Sequence, residues 1–532
     1  MKINLSLRIL APVAMGCGLF LTVPDSFAVD AAAKSSPALA PATAVVTASS
    51  DKVLFAFDDR ALPFQQALRL QLTSFRKKGS PSNVVVPLGP PGAPDSKGIF
   101  YCISVLEMNG EFWMWYIGAG DHDVSKSGIV YGLPFRLCFA RSKDGVHWEK
   151  PSLGLLEYAG NRKNNLVELD GREFELQEGV ILYEPDEADA NRRFKIVFEA
   201  SKYKLRFAVA TSADGVRWKE SPNNPRGPWL EPSGLIKWHG AYYVNGQGNG
   251  HWIPGVARAT RVLGSYISHD FEHWTQIPAL GFRRDPLPPR PVNLTGWNDG
   301  EQVHLGASLW KRGDVIIGFY GQWHGHPSND RRFVTMDLGL VISHDALHYY
   351  EPVPDFRIIE GAEVARALPL TRAPSLAQSQ GFANIGDQTL TWYTAWGVPE
   401  DGIRLATAER DRLGFLQPSP VQGFQDGTNY PPCLISAPVA TGGKPVTISV
   451  NASGLSDLSQ LKVSVLDEQF RELPGFGAAD WTGPKESGFS QRATWGQRNI
   501  VSAGGPIRIR VDFSGVRPED LKLYAIYVTP VP

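Results

Sequence analysis

The sequence predicts an all-β protein: a five-bladed β-propeller followed by a C-terminal antiparallel β-sandwich. Three observations predict it. A short motif recurs five times, short aromatic and β-branched runs fill the spaces between its copies, and the last stretch of the chain changes to plain apolar–polar alternation. Composition agrees with a turn-rich, well-packed chain. The 532 residues allow two or three domains, aromatics make up 11% with 15 Trp, and Gly (53) and Pro (41) favour turns over long helices.

The motif is Ser142-x-Asp144-x-x-x-Trp148. It returns as Ser212, Asp214 and Trp218, as Ser268, Asp270 and Trp274, and as Ser343, Asp345 and Tyr349. A worn fifth copy reads Glu409, Asp411 and Phe415, and a proline follows each aromatic (Pro151, Pro222, Pro278, Pro352, Pro418). Upstream of the copies lie "FWMWYIGAG", "RFKIVFEAS", "AYYVNGQGN", "VIIGFYGQW" and "TLTWYTAWG", each preceded by a turn and another apolar run. A third run, such as "FRLCFAR", leads into the motif. Each unit is thus a four-stranded antiparallel blade, and five units make a propeller. Asp and Ser bond nearby backbone N–H groups in turns. A feature present in every blade is scaffold, so His147 beside Asp144 is set aside as chemistry; Arg217, His273 and His348 hold the same place.

Before the propeller, Lys2 and Arg8, the apolar stretch Ile9 to Val23 and the sequence Ser26-Phe27-Ala28 predict a secretory signal peptide over 1–28, cleaved near Ala28. The expected location is secreted or periplasmic, with no membrane association after cleavage. Residues 29–52 are Ala/Pro/Ser-rich and read as a disordered linker. Residues 53–94 form a segment packing on the propeller, the propeller spans 95–430, and the sandwich spans 431–532. In the sandwich, "KPVTISVNAS", "LKVSVLDEQF", "PIRIRVDFS" and "LKLYAIYV" alternate in short runs. Past the cleavage site three cysteines remain (Cys102, Cys138, Cys433), an odd number that rules out a complete disulfide framework, and they read as buried apolar groups. A formal net charge of −1 gives no field for nucleic acid.

A propeller of Ser-x-Asp-x-x-x-Trp blades resembles the five-bladed glycoside hydrolases of families 43 and 32, and the sandwich sequence from "VSVLDEQFRELPGF" to "LKLYAIYV" resembles the accessory sandwich of family 32-like proteins. Sialidase repeats place Gly differently after the Asp; here Gly145 directly follows Asp144. The resemblance implies a glycosidase with carboxylates at the starts of the inner strands: a base or nucleophile from blade I, a transition-state stabiliser from blade II and a general acid from blade III. Leaving-group protonation opposite an anion is the chemistry such acids serve.

Residue by residue, the resemblance puts the general acid at Glu231, nine residues before Gly240 in "EPSGLIKWHGAYY". It puts the stabiliser at Glu178, where the families have Asp. Blade I has no acid near Tyr101 and Cys102, and the nearest upstream carboxylate, Asp95, takes the base or nucleophile position. Asp299 or Glu301 in "TGWNDGEQVHLG" is the fallback. Polar and aromatic groups near the same pole (His251, Trp252, Trp297, Asp299, Trp323 and His324) are expected sugar-binding residues. No cofactor is expected. A structural metal in the axial channel, on Asp121, Asp123, His324 and His326, is a weaker alternative that no spacing singles out. The expected partner is a carbohydrate substrate. Two other readings stay open: a non-catalytic carbohydrate-binding propeller, and a glycoside phosphorylase, for which Arg331-Arg332 is the one basic hint.

Overall fold

The computed structural model describes residues 52–77, 83–121, 135–253, 260–284, 300–328, 330–361, 375–395, 402–419 and 430–531. The expected signal segment lies outside these residues, as does the linker up to its last residue. The ordered elements among the described residues are β-strands and short 3-10 helices. No helix among them is long and apolar enough to cross a membrane.

The fold is an all-β propeller with a β-sandwich. Blade I runs Gly98–Met108, Glu111–Ala119, Arg136–Ser142 and Trp148–Glu149, each strand antiparallel to the next. Blade II runs Glu178–Tyr183, Phe194–Glu199, Phe207–Ser212 and Arg217–Glu220. Blade III runs Glu231–Trp238, Ala241–Asn249, Arg261–Ser268 and Ala279–Phe282. Blade IV runs Glu301–Arg312, Val315–His324, Thr335–Ser343 and Arg357–Ile359. Blade V begins Leu376–Ile385, Gln388–Ala395 and Ile403–Glu409.

The first four motif copies make one repeated turn. In blade I, Ser142 Oγ accepts the Gly145 N–H at 2.9 Å, and Asp144 Oδ1 accepts the N–H groups of Val146 and His147. The same bonds recur at Ser212/Asp214, Ser268/Asp270 and Ser343/Asp345. The turn also joins blades. The Trp392 indole of blade V donates to the Gly145 carbonyl of blade I at 3.0 Å, and the Trp115 indole of blade I donates to the Gly215 carbonyl of blade II at 2.7 Å. Both glycines have positive φ (72° and 75°), and a Cβ on either would stand 2.8 Å from that tryptophan, so glycine is required here.

The worn fifth copy behaves differently. Asp411 is buried in an ion pair with Arg312 and accepts from the Tyr527 hydroxyl of the sandwich. The strand after it, Gly414–Pro418, leaves blade V and pairs with Leu68–Leu72 and Leu523. The outer edge of blade V comes from the N-terminal segment instead: Arg76–Lys77 and Val84–Val86 pair with Ile403–Glu409. The same segment supplies Lys52–Phe55 and Phe64–Gln66 to the two sandwich sheets. Local pattern could not reveal this, because the outer edge is completed by residues more than 300 positions away in the chain.

Apolar side chains fill each gap between blades. Trp115, Phe139, Ile181, Ile196 and Phe198 lie between blades I and II, and Val180, Val197, Leu230 and Leu235 between II and III. Ile236, Leu309 and Tyr320 lie between III and IV. The sandwich core holds Leu434, Ile448, Val463, Trp495, Ile509 and Ile526. Burying such side chains stabilises by about 1.5–3 kcal/mol each before entropy is counted. Cys102 and Cys138 are buried free thiols as expected, while Cys433 is half-buried.

Candidate active site

Gln380, on the inner strand of blade V, defines a level on the propeller axis. Its Oε1 accepts from Leu235 N (2.9 Å) and Leu309 N (3.3 Å), and its Nε2 donates to Leu235 O (3.0 Å) and Ile181 O (3.4 Å). One side chain thereby ties blades II, III, IV and V together. Glu178 starts the inner strand of blade II three residues before Ile181, and Glu231 starts that of blade III four residues before Leu235. Both acids therefore lie on the strand-start side of this plug.

Strand alternation brings a third acid to them. Glu178 and Glu199 are directly opposed across the first two strands of blade II. They share sheet parity with the Val180–Val197 pair, which packs toward blade III. The gap on that side holds Glu231 and Trp229. Trp229 hydrogen-bonds Glu199, and Tyr101 of blade I hydrogen-bonds Glu178. Glu178 and Glu199 are buried (8% and 3% exposed), and Glu231 is half-buried. Burial, then the charge of Glu231, then that of Glu199 push the Glu178 carboxyl well above the usual carboxylate range. Burial first and the Glu231 charge second push Glu199 up to about 9. At neutral pH this cluster holds protons that isolated glutamates would release. Such a cluster can donate a proton to a leaving oxygen and present a negative charge beside it.

Two of the three expected catalytic acids, Glu178 and Glu231, thus come together, and Asp95 does not join them. The chain enters blade I across its second strand (Lys97 N–H to Ala119 O), so Asp95 folds against Tyr116 and Gly118 rather than the axis. Its Oδ2 accepts from the Tyr116 hydroxyl at 2.7 Å and from Lys150 Nζ at 2.5 Å. That is a buried structural ion pair. Glu301, the fallback, is held by His324 (2.7 Å) and Arg284 (3.0 Å).

The expected sugar-binding set divides. Trp252 ends a one-turn helix just past the second strand of blade III and is 39% exposed. That is the pole of Glu231, whose strand partner is Gln247. Trp323 is wholly buried, stacked on His304 with the Arg261 guanidinium over its ring at 4.1 Å, so no sugar reaches its face. His324 sits between Glu301 and Asp337. Burial opposes its charge, but these two carboxylates outweigh it and raise the imidazole above its ordinary value. With both ring nitrogens engaged it has no lone pair for a metal, and Asp121 accepts from the Gly92 N–H. No group of three His, Cys, Asp or Glu that could hold a metal occurs among the described residues. Trp297, Asp299, Asp123 and the side chains of His251 and Arg331 lie outside the described residues.

Sequence reasoning missed Glu199, Trp229 and Tyr101. Glu199 ends the strand Phe194–Glu199 within "RFKIVFEAS", and its parity with Val197 was the available signal; which residue opposes it depends on hairpin register. A groove of about 630 Å³ on the outer flank of blades II and III carries charges already paired with each other, Arg217 with Asp214 and Arg192 with Glu272.

No family model and no curated protein matches this sequence. Among solved structures, one similar to this chain is from the GH130 family of mannoside phosphorylases, which contains glycoside hydrolases that target beta-1,2 mannosidic linkages in Candida mannan. It is 15% identical, covers 64% of this chain and 95% of its own, and gives a TM-score of 0.40. A glycosyl hydrolase from Bacteroides ovatus is 16% identical with the same coverage and TM-score. A thermostable family-43 glycoside hydrolase is 12% identical, covers 64% of this chain and 95% of its own, and has a TM-score of 0.38.

Proposed function

We propose that this protein is a secreted carbohydrate-active enzyme that cleaves a glycosidic bond with the Glu178–Glu199–Glu231 cluster. The observation that supports this is the meeting of three carboxyls, two buried and with raised proton affinity: Glu178 and Glu231 at the inner-strand starts of blades II and III, and Glu199 opposite Glu178 on the second strand. Glu231 is the most accessible of the three; protonated, it is the member placed to pass a proton to the leaving oxygen, and its charged form is what adds to burial in raising Glu178 and Glu199. As the O–H bond forms there, the bond from the anomeric carbon to that oxygen breaks, and an incoming nucleophile takes its place. Trp252 supplies an exposed aromatic face at the same pole.

One observation favours a second reading, a phosphorylase. The Asp95 carboxylate is neutralised by Lys150 and turned from the axis, so the nucleophile comes from elsewhere, and inorganic phosphate is one such source. Sugar release from a panel of oligosaccharides, with and without phosphate, separates the two. Glu231→Gln is expected to lower the rate by about 10²–10⁴-fold. Full activity in that variant removes Glu231 from its role. A wild type that binds glycans yet releases nothing across the panel indicates a carbohydrate-binding propeller instead.

A further inference from the structure

Trp229 lies on the same face of the chain as Glu231. From Trp229 to Gly234 the residues alternate: Trp229, Glu231 and Ser233 are half-buried, and Leu230, Pro232 and Gly234 are buried. In extended chain, side chains two residues apart point the same way. The apolar side chains filling the gap between blades II and III include Leu230 and Phe207 but not Trp229. The backbone here is pinned to blade II. The Phe207 N–H donates to the Pro228 carbonyl at 3.1 Å, and Trp229 forms a β-bridge with Arg206. Phe207 is the ladder partner of Glu199, so Trp229 enters beside that acid and its side chain hydrogen-bonds it. The indole N–H is the one polar group of tryptophan and only donates, so the Glu199 carboxyl is the acceptor. Glu199 is buried, and the bond is a tether at one edge of a half-buried ring.

We propose that Trp229 is a sugar-contacting residue, its indole held by Glu199 so that the ring meets the apolar C–H face of a pyranose beside Glu231. A pyranose carries hydroxyls around its edge and C–H groups on its faces. An indole matches such a face with a broad, rigid, apolar surface at low cost in side-chain entropy. The N–H bond to a buried carboxyl fixes the angle at which that surface is offered. Glu199 then acts on the sugar through the ring and is a positioning residue. That the contacted sugar carries the bond to be cleaved rests on the glycoside-cleaving reading above; the contact itself does not.

The test uses the full chain as wild type, Trp229→Ala, Trp229→Phe, Glu199→Leu and the Trp229→Ala/Glu199→Leu double variant. The probes are gluco-, manno-, galacto- and xylo-oligosaccharides, with affinity read by titration calorimetry and KM and kcat by sugar release. Trp229→Ala is expected to weaken binding and raise KM about ten-fold with kcat within about two-fold of wild type. Trp229→Phe keeps a ring face without the N–H and is expected to bind about three-fold more weakly than wild type. Glu199→Leu removes the acceptor and is expected to weaken binding by a similar factor, but to add almost nothing in the Trp229→Ala background, because the two residues act as one unit. Wild-type affinity in Trp229→Ala overturns the proposal, even with a lowered melting temperature, since the ring is then packing alone. Fully additive losses in the double variant overturn the tether. A wild type that binds none of the four classes overturns the contact. Binding without release sinks the glycoside-cleaving reading, and the variant affinities still decide Trp229. Should Trp229→Ala fail to fold, Trp229→Phe carries the same comparison, and wild-type affinity there overturns the tether.

Discussion

Glu178 and Glu199 stand directly opposite each other on adjacent strands of blade II, both buried and both facing blade III. Like charges opposed across a ladder destabilise a sheet.

Burial and the charge of Glu231 on Glu199 make stability depend on pH. A carboxyl with a raised folded value binds its proton more tightly when folded than when unfolded. Its folded form is therefore favoured below the unfolded value, near 4.3, and that benefit disappears as pH rises toward the folded value, about 9 for Glu199. Glu199→Gln should match wild type near pH 4 and exceed it near pH 8. The gain should be about 1.4 kcal/mol for each pH unit by which the assay lies above the unfolded value, up to the folded one. Urea denaturation at the two pH values measures it. Equal differences at both would show that burial and the Glu231 charge do not raise the Glu199 carboxyl in the folded protein.

Blade contacts should behave as structure and not as chemistry. Trp115 is wholly buried and donates to Gly215 O, so Trp115→Ala should cost about 3–5 kcal/mol. Gly215→Ala should also destabilise, since its φ of 75° and the 2.8 Å approach to Trp115 leave no room for a Cβ. Thermal melting of both variants is the measurement. A melting temperature within a degree or so of wild type for Trp115→Ala would contradict the packing described.

Asp95→Asn separates stability from catalysis. Loss of the charge-assisted bonds to Lys150 and Tyr116 should cost about 1.5–3 kcal/mol. Sugar release at a temperature where the variant is folded should fall far less than the roughly 10²-fold expected on losing a general acid or base. A kcat lower by that factor with unchanged stability would return Asp95 to the catalytic set.

The two tryptophans should diverge. Trp252→Ala should raise KM about five-fold, near 1 kcal/mol, with kcat little changed, as an exposed sugar platform requires. Trp323→Ala should cost about 3–5 kcal/mol of stability, because its ring is enclosed by His304 and Arg261. A rise in KM confined to Trp323→Ala would reverse the assignment.

Much of this was legible in the chain. The Ser-x-Asp motif is visible because its bonds run to N–H groups two or three residues on, a local chemistry that recurs wherever the turn does. Glu231 and Glu178 came from the family resemblance, through the spacing to Gly240 and a strand-start position, and the structure brings the two together. Trp323 was misjudged because an aromatic at a strand end looks the same in sequence whether exposed or enclosed. Asp95 was misjudged because the direction in which the chain enters blade I is set by one pairing, Lys97 to Ala119.

Local chemistry along the chain was enough for the all-β class, the repeating blade and its turns, since each depends on neighbours within a few residues. The rest was settled by contacts between distant segments. They set Glu199 against Glu178, closed blade V with Arg76–Lys77 and Val84–Val86, and drew Asp411 into the sandwich contact. The reason is physical: hairpin register and ring closure join residues far apart in the chain, and proton affinities follow the burial and the neighbouring charges that those pairings create.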